Sequence, residues 1–185
     1  MDHYVEIHLL PDPEFPPNML LNALYAKLHR ALVSHGGRSI GVSFPDVGKC
    51  GLGERLRLHG MAAELENLMA QDWLRGMRDH TALSETRAVH ALKGYRVVRR
   101  VQAKSSPERL RRRLMLRKNV SAEQAAQAIP DSAAERLELP YVVLNSQTTG
   151  QQFRLFVEHL PLQEGPTRGT FNAYGLSTTA TVPWF

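Results

Sequence analysis

The stretch "HYVEIHLLPDPEFPPNMLLNALYAKLHRALVSHGG" (residues 3–37) decides the fold. Val5, Ile7 and Leu9 alternate with Glu6 and His8, the period of a half-buried strand. "PDPEFPP" then breaks the chain, because prolines suit turns and helix starts. From about Asn18 to Val33, the residues Leu21, Leu24, Tyr25, Leu28, Ala31 and Leu32 recur at helical spacing. "HGG" supplies the glycine that commonly follows a helix C-terminus. A strand and an amphipathic helix therefore open the chain.

Outward from that start, "SIGVSF" (39–44) and "ERLRLHG" (54–60) read as strands, with "PDVGKCGLG" as the loop between them. "AAELENLMAQDWL" (62–74) has helical periodicity, and "TRAVHALKGYRVVRRV" (86–101) holds one or two further strands. Strand, helix, strand, strand, helix, strand is the ferredoxin-like order, a four-stranded antiparallel sheet with two helices on one face. The second half differs. Ser106-Pro107-Glu108 suits a helix start, with Ser as cap and Pro at the first position. Ser121 and Gln124 have capping-box spacing for a helix over "SAEQAAQAI", which Pro130 stops. "PYVVLNSQTTGQQFRLFVEHL" (140–160) reads as a hairpin turning near "TTG", and "GTFNAYGLS" (169–177) as a third strand. The expected class is α+β. A ferredoxin-like domain spans 1–94. A smaller α+β domain spans 95–185, with an arginine-rich helix at about 107–118, a β-hairpin and C-terminal strands.

Composition narrows the function classes. The 185 residues carry 23 Lys+Arg and 18 Asp+Glu, a formal charge of +5. The stretch "ERLRRRLMLRK" (108–118) holds six cations and one anion, so the excess is local and the rest of the chain is balanced. One basic patch on a neutral protein points to a specific anionic partner. No window reaches the ~18 apolar residues of a membrane span. The N-terminus lacks the basic and apolar regions of a signal peptide. The single cysteine, Cys50, permits no internal disulfide. A cytoplasmic location is expected.

On a helical wheel, Leu110 and Leu114 share a face, while Arg109, Arg113 and Arg117 follow at i, i+4, i+8 with Arg112 beside them. Arg111 and Lys118 fall on the far side. Like charges at i, i+4 repel, so the arrangement makes sense if a polyanion supplies the missing negative charge. From Lys93 to Lys118 eleven of 26 residues are basic and Glu108 is the one acid. Arginine forks suit phosphates and guanine edges. A solvated cationic helix is the plain alternative. A membrane-surface helix would need a broader apolar face with aromatics. Nucleic acid is the favoured partner.

None of the eight histidines forms a HExxH pair or joins a CxxC set, and "GKCGLGE" fits no phosphate-binding loop. No metal and no cofactor are expected. RNA can be cut without either, if a base removes the 2′-hydroxyl proton next to the scissile phosphate. Histidine is the natural base at pH 7. His29 lies about 60° beyond the centre of the first helix's apolar stripe, where it can face a cleft. By position alone the commoner reading is a boundary histidine held by a local hydrogen bond.

The chain resembles the CRISPR repeat-processing endoribonucleases of subtype I-F. The shared stretches run in order: "MDHY", "PDPEFPP", "KLH" with His29, "GVSFPD", "LGERLR", "RVQAKSSPERLRRRLM", "SQTTGQQFRLF", "YGLS" and "VPWF". The resemblance implies a metal-independent endoribonuclease. It would bind the stem-loop of repeat RNA, cut the precursor at the 3′ base of the hairpin by 2′-hydroxyl attack, and stay on the product within an interference complex. A non-catalytic hairpin-binding assembly subunit is the alternative. His29 matches the catalytic histidine, Ser146 the serine that positions the 2′-hydroxyl, and Tyr174 the tyrosine that orients it. Arg100 and Gln102 match base readers at the foot of the stem, and Arg113 a guanine reader. Arg112, Arg117 and Lys118 match phosphate contacts. Phe153 matches the aromatic stacked on the terminal base pair; the bare sequence makes it core. Leu116 stands where the resemblance leads one to expect a basic residue, and Thr148 where it leads one to expect serine. The loop 46–52 and "KGYRVVRRV" also differ.

Overall fold

The computed structural model describes residues 1–49, 51–102, 107–131, 137–146 and 150–185. Cys50, the Ser106 cap, Thr148 and most of the hairpin turn lie outside the described residues. The described residues form an α+β protein with two antiparallel sheets and four α-helices. It divides into two compact units, Met1–Val101 with Leu139–Phe185, and Gln102–Glu138. No described helix is long and apolar enough to cross a membrane.

In the larger unit, β1 (His3–Leu9), β2 (Gly41–Ser43), β3 (Arg55–Gly60) and β4 (Thr81–Leu83) form the first sheet in the order β2-β3-β1-β4. A two-residue strand, β5 (Arg87–Ala88), pairs with the start of β1. Val5, Ile7 and Leu9 are buried, as the alternation requires. The opposite face carries Glu6 opposite Arg57 and Tyr4 opposite His59. That face is also covered: Arg57 is 4% exposed, pairs with Glu6 at 2.6 Å, and lies 3.8 Å over the Phe185 ring. A buried guanidinium is tolerable because it is both paired and stacked.

Helix α1 (Pro17–His35) begins behind Pro16 and ends on Gly36, whose φ of 70° is the left-handed form that only glycine adopts freely. Leu21, Leu24, Tyr25, Leu28, Ala31 and Leu32 are all buried along it. Helix α2 (Ala62–Met69) stops short of the expected 62–74. The following residues wind through tight turns with positive φ at Asp72 and Gly76, while Leu74 stays buried.

The second sheet comprises β6 (Gly94–Val101), β7 (Tyr141–Asn145), β8 (Gln152–His159) and β9 (Thr181–Trp184), ordered β7-β8-β6-β9. The expected hairpin is present, with Asn145 opposite Gln152. Two expectations change. The long strand within 86–101 joins this sheet, not the first; consecutive Val97 and Val98 are both buried, which suits a central strand flanked on both edges. Residues 169–177 are not a strand. Asn172 accepts the Tyr174 and Leu176 N–H groups through its side chain and closes a turn, and 181–184 supplies the strand. Pro183 sits in β9 because β9 is an edge.

In the smaller unit, α3 (Pro107–Lys118) packs against α4 (Ala122–Ala128). The Ser121–Gln124 capping box is complete on both sides. Leu110 and Leu114 are half-buried, whereas Arg109, Arg112, Arg113, Arg117 and Lys118 are exposed. Arg111 is half-buried. It donates to the Ile129 carbonyl at 2.7 Å and pairs with Asp131 at 2.7 Å. It is a structural arginine on the far side of the wheel. Leu116 is 79% exposed within the arginine face.

His159 joins the sheets. Its Nε2 accepts the Phe44 N–H at 3.3 Å, and its ring lies edge-on to Trp184. Burial, with Arg96 nearby, lowers its pKa to about 4. His59, fully buried against Ser43, is pushed well down for the same reasons, with Arg57 as its neighbour. Both must be neutral in the folded state, whereas the unfolded chain binds protons near pH 6.5. Their contribution is therefore full above pH 6.5 and lost as pH falls towards 4. For His159 the loss is on the order of 3 kcal/mol. Unfolding free energy measured in urea from pH 7 to 4 should fall steeply for the wild type. It should fall less for His159→Gln, whose amide can still accept from Phe44 without titrating.

Candidate active site

A cleft of about 970 Å³ opens between α1 and the facing ends of β7 and β8. His29, Ser146, Phe153 and Tyr174 all line it. Residues far apart in sequence thus meet within one unit.

His29 follows the fully buried Leu28, so the packed stripe of α1 fixes its place. Its Nδ1 is 2.8 Å from the Ala173 carbonyl. A carbonyl only accepts, so Nδ1 carries a proton, and in the neutral ring Nε2 then holds the lone pair. The imidazole stacks on the Tyr174 ring, centroids 4.2 Å apart at 14°. Imidazole orientation is therefore set by one hydrogen bond and one ring face.

The loop that supplies both contacts is itself held. The Tyr25 hydroxyl, deep in the core, donates to the Tyr174 carbonyl at 2.8 Å. Burial, with Tyr174 adding to it, raises the Tyr25 phenol pKa, so the hydroxyl keeps its proton. Val42 N–H in β2 donates to the Gly175 carbonyl at 2.8 Å. Gly175 has φ of 70°, and a Cβ there would collide with the Val42 side chain. This position requires glycine on two counts.

Ser146 sits at the end of β7, its N–H donating to Gln151 and its carbonyl accepting from Gly150, each at 2.8 Å. Phe153, expected from the bare sequence to be core, is half-buried and also faces the cleft. Arg100 on β6 places its guanidinium 5.7 Å from the Phe153 ring and 5.5 Å from the Tyr174 ring. Gln102, Arg112, Arg113, Arg117 and Lys118 belong to the smaller unit, where all five are exposed. No carboxylate lines the cleft among the described residues. Among the described lining residues, Arg30 is the one full cation.

Sequence reasoning passed over several of these parts. Tyr25 lies in the apolar stripe and reads as core, so its hydroxyl carried no signal. Asn172, three residues before Gly175, is a turn signal that could have identified the loop. Arg30 next to His29 was not singled out.

An imidazole with a free lone pair in an acid-free cleft, in a chain that also exposes an arginine-rich helix, is the equipment of a nuclease. The family described as CRISPR-associated protein (Cas_Csy4) matches residues 4–185. The chain is 55% identical over 187 residues to the CRISPR-associated endonuclease Cas6/Csy4 of Pseudomonas aeruginosa (strain UCBPP-PA14), covering 100% of both chains. It is 48% identical over 185 residues to the protein of the same name from Escherichia coli (strain UTI89 / UPEC), again covering 100% of both. The chain belongs to the Csy4 family of CRISPR-associated proteins, and it is an endonuclease.

Gly175→Ala tests the held loop. It forces an alanine into a left-handed conformation, about 1–2 kcal/mol, and against Val42, about 1–3 kcal/mol. Urea unfolding should show a loss of roughly 2–5 kcal/mol. The folded fraction should cut more slowly, because Tyr174 and the Ala173 carbonyl shift together.

Proposed function

We propose that this protein is a metal-independent endoribonuclease that binds the stem-loop of CRISPR repeat RNA. It cuts the precursor at the 3′ base of the hairpin and stays on the mature product. The observation that carries this reading is His29: a base with Nδ1 anchored on Ala173, Nε2 without a hydrogen-bond partner among the described residues, and Tyr174 stacked beside it.

Nε2 takes the proton of the 2′-hydroxyl at the cut. The 2′-oxygen bonds to phosphorus, and the bond from phosphorus to the 5′-oxygen breaks. The products are a 2′,3′-cyclic phosphate and a 5′-hydroxyl, and the departing oxygen takes up a proton. Ser146, across the cleft from α1, positions the attacking hydroxyl, and Tyr174 orients it. A hard divalent cation prefers carboxylate oxygens, and the described cleft lining offers none.

Affinity comes from residues 95–185. The exposed side chains of Arg112, Arg117 and Lys118 suit phosphates, and Arg113 suits a guanine edge. Arg100 and Gln102 read bases at the foot of the stem, and Phe153 stacks on the terminal pair. Residues 1–94 form a ferredoxin-like domain, a reading supported by the strand order β2-β3-β1-β4. The partners are the crRNA and other subunits of a type I-F complex, in the cytoplasm.

Purified protein with a labelled repeat hairpin in EDTA should cut the RNA and leave a 2′-deoxy control intact. His29→Ala should abolish cutting while hairpin affinity persists; cutting at the wild-type rate would remove His29 from the chemistry. Tight binding without cutting by the wild type would make the protein a hairpin-holding subunit. Separately, Arg113→Ala should weaken hairpin binding by ~1–3 kcal/mol in a filter-binding titration.

A further inference from the structure

The active cleft does not end at His29. Along α1 it continues past Arg30 to Val33 and Ser34. There it adjoins a second depression of about 510 Å³, which shares Val33 and runs around the helix end. Arg38 lines this second depression with Thr170, Thr178 and Thr179. No carboxylate lines either depression among the described residues. Surface arginines are commonly solvated ions. Arg30 and Arg38 are exposed on two adjoining depressions whose described lining holds no carboxylate. Between them, at His35, lie the negative end of the α1 dipole and the Glu64 carboxylate, 2.9 Å from His35 Nε2, and the two arginines offset both.

We propose that this path is a track for the single-stranded RNA on the 3′ side of the cut, with Arg30 and Arg38 on its phosphates. The inference rests on the endoribonuclease reading above. His29 and Ser146 both serve the attacking oxygen, so in-line geometry does not choose the exit. The cleft runs along α1, and a strand lying in it past the scissile phosphate has two directions to take. Along α1 the N-terminal half of the cleft offers Met19, Ala23 and Ala26, whereas the other half offers Arg30 and leads to Arg38. Phosphates follow the arginines. The hydroxyls of Thr170, Thr178 and Thr179 can meet phosphate or ribose oxygens without demanding a base, so the track is insensitive to sequence.

The test compares two uncuttable 2′-deoxy repeat hairpins, one ending a single nucleotide past the scissile phosphate and one with about six. Affinity is measured for each, and the ratio is taken within each protein. At about 50 mM salt the wild type should bind the longer RNA roughly five- to tenfold tighter. In the double variant Arg30→Gln/Arg38→Gln the ratio should fall to about one, and the salt slope on the longer RNA should be shallower by about 1.4. Arg30→Lys/Arg38→Lys should keep most of the ratio, since phosphate contact needs charge more than shape. A wild-type ratio of one, or an undiminished ratio in the glutamine variant, overturns the track and leaves the hairpin reading intact. No binding of either hairpin overturns both.

Discussion

Everything at the site depends on how the backbone from Asn172 to Leu176 is held. Its carbonyls do the positioning: Ala173 fixes His29 Nδ1, Tyr174 takes the Tyr25 hydroxyl, and Gly175 takes the Val42 N–H. Each bond alone contributes about 1 kcal/mol net. Their importance is geometric, because three successive carbonyls are held by two elements, α1 through His29 and Tyr25 and β2 through Val42. The buried Tyr25 phenol has no other partner among the described hydrogen bonds, so breaking its contact would strand a polar group in the core. Catalytic geometry and core stability are thereby coupled.

The histidines divide by burial. His59 and His159 are kept neutral inside the fold and serve as acceptors or hydroxyl partners. Their neighbours Arg57 and Arg96 make protonation still less favourable, and those cations are in turn stacked on Phe185 and Trp184. His29 is the one that lines the cleft. A proton can therefore be exchanged at His29 without disturbing the buried pair.

Much of this was legible in the sequence where the period was strong. All six stripe positions named in α1 are buried, because six apolar residues at one spacing leave little room for another reading; Leu20, also buried, lies beside that stripe. The arginine helix matched its expected bounds, and its exposed and half-buried sides followed the wheel, Leu116 included. The reading was less complete where tertiary partners decide. "KGYRVVRRV" is strand-like wherever it goes, and its sheet is chosen by the edges that β8 and β9 offer. "GTFNAYGLS" has strand-forming residues, but the Asn172 side chain satisfies the backbone locally. The Arg111 bond to Ile129 and the Arg100 contact with two rings come from residues distant in the chain, which spacing cannot show. His29 was placed by its angle to the stripe, yet its tautomer depends on a carbonyl 144 positions away.

The acid-free cleft also bears on rate. A single imidazole base is worth ~10²–10⁴ in rate, and aligned geometry adds more. The proposed chemistry has no metal to stabilise the charge that builds on the phosphoryl oxygens. Arg100 and Arg30 are the cations at hand, and Arg100 is already engaged with the Phe153 and Tyr174 rings. Such a site makes a modest catalyst with strict geometry. Modest chemistry would be no handicap if, as proposed, the enzyme cuts one RNA and then holds it, because turnover would end with the first product. Tight hairpin binding would be a fault in a recycling enzyme, where release limits kcat. Here it permits the exposed arginines of α3 to be as strongly cationic as helix repulsion allows. The same tight grip can hold the scissile bond still against a base that has little else to help it.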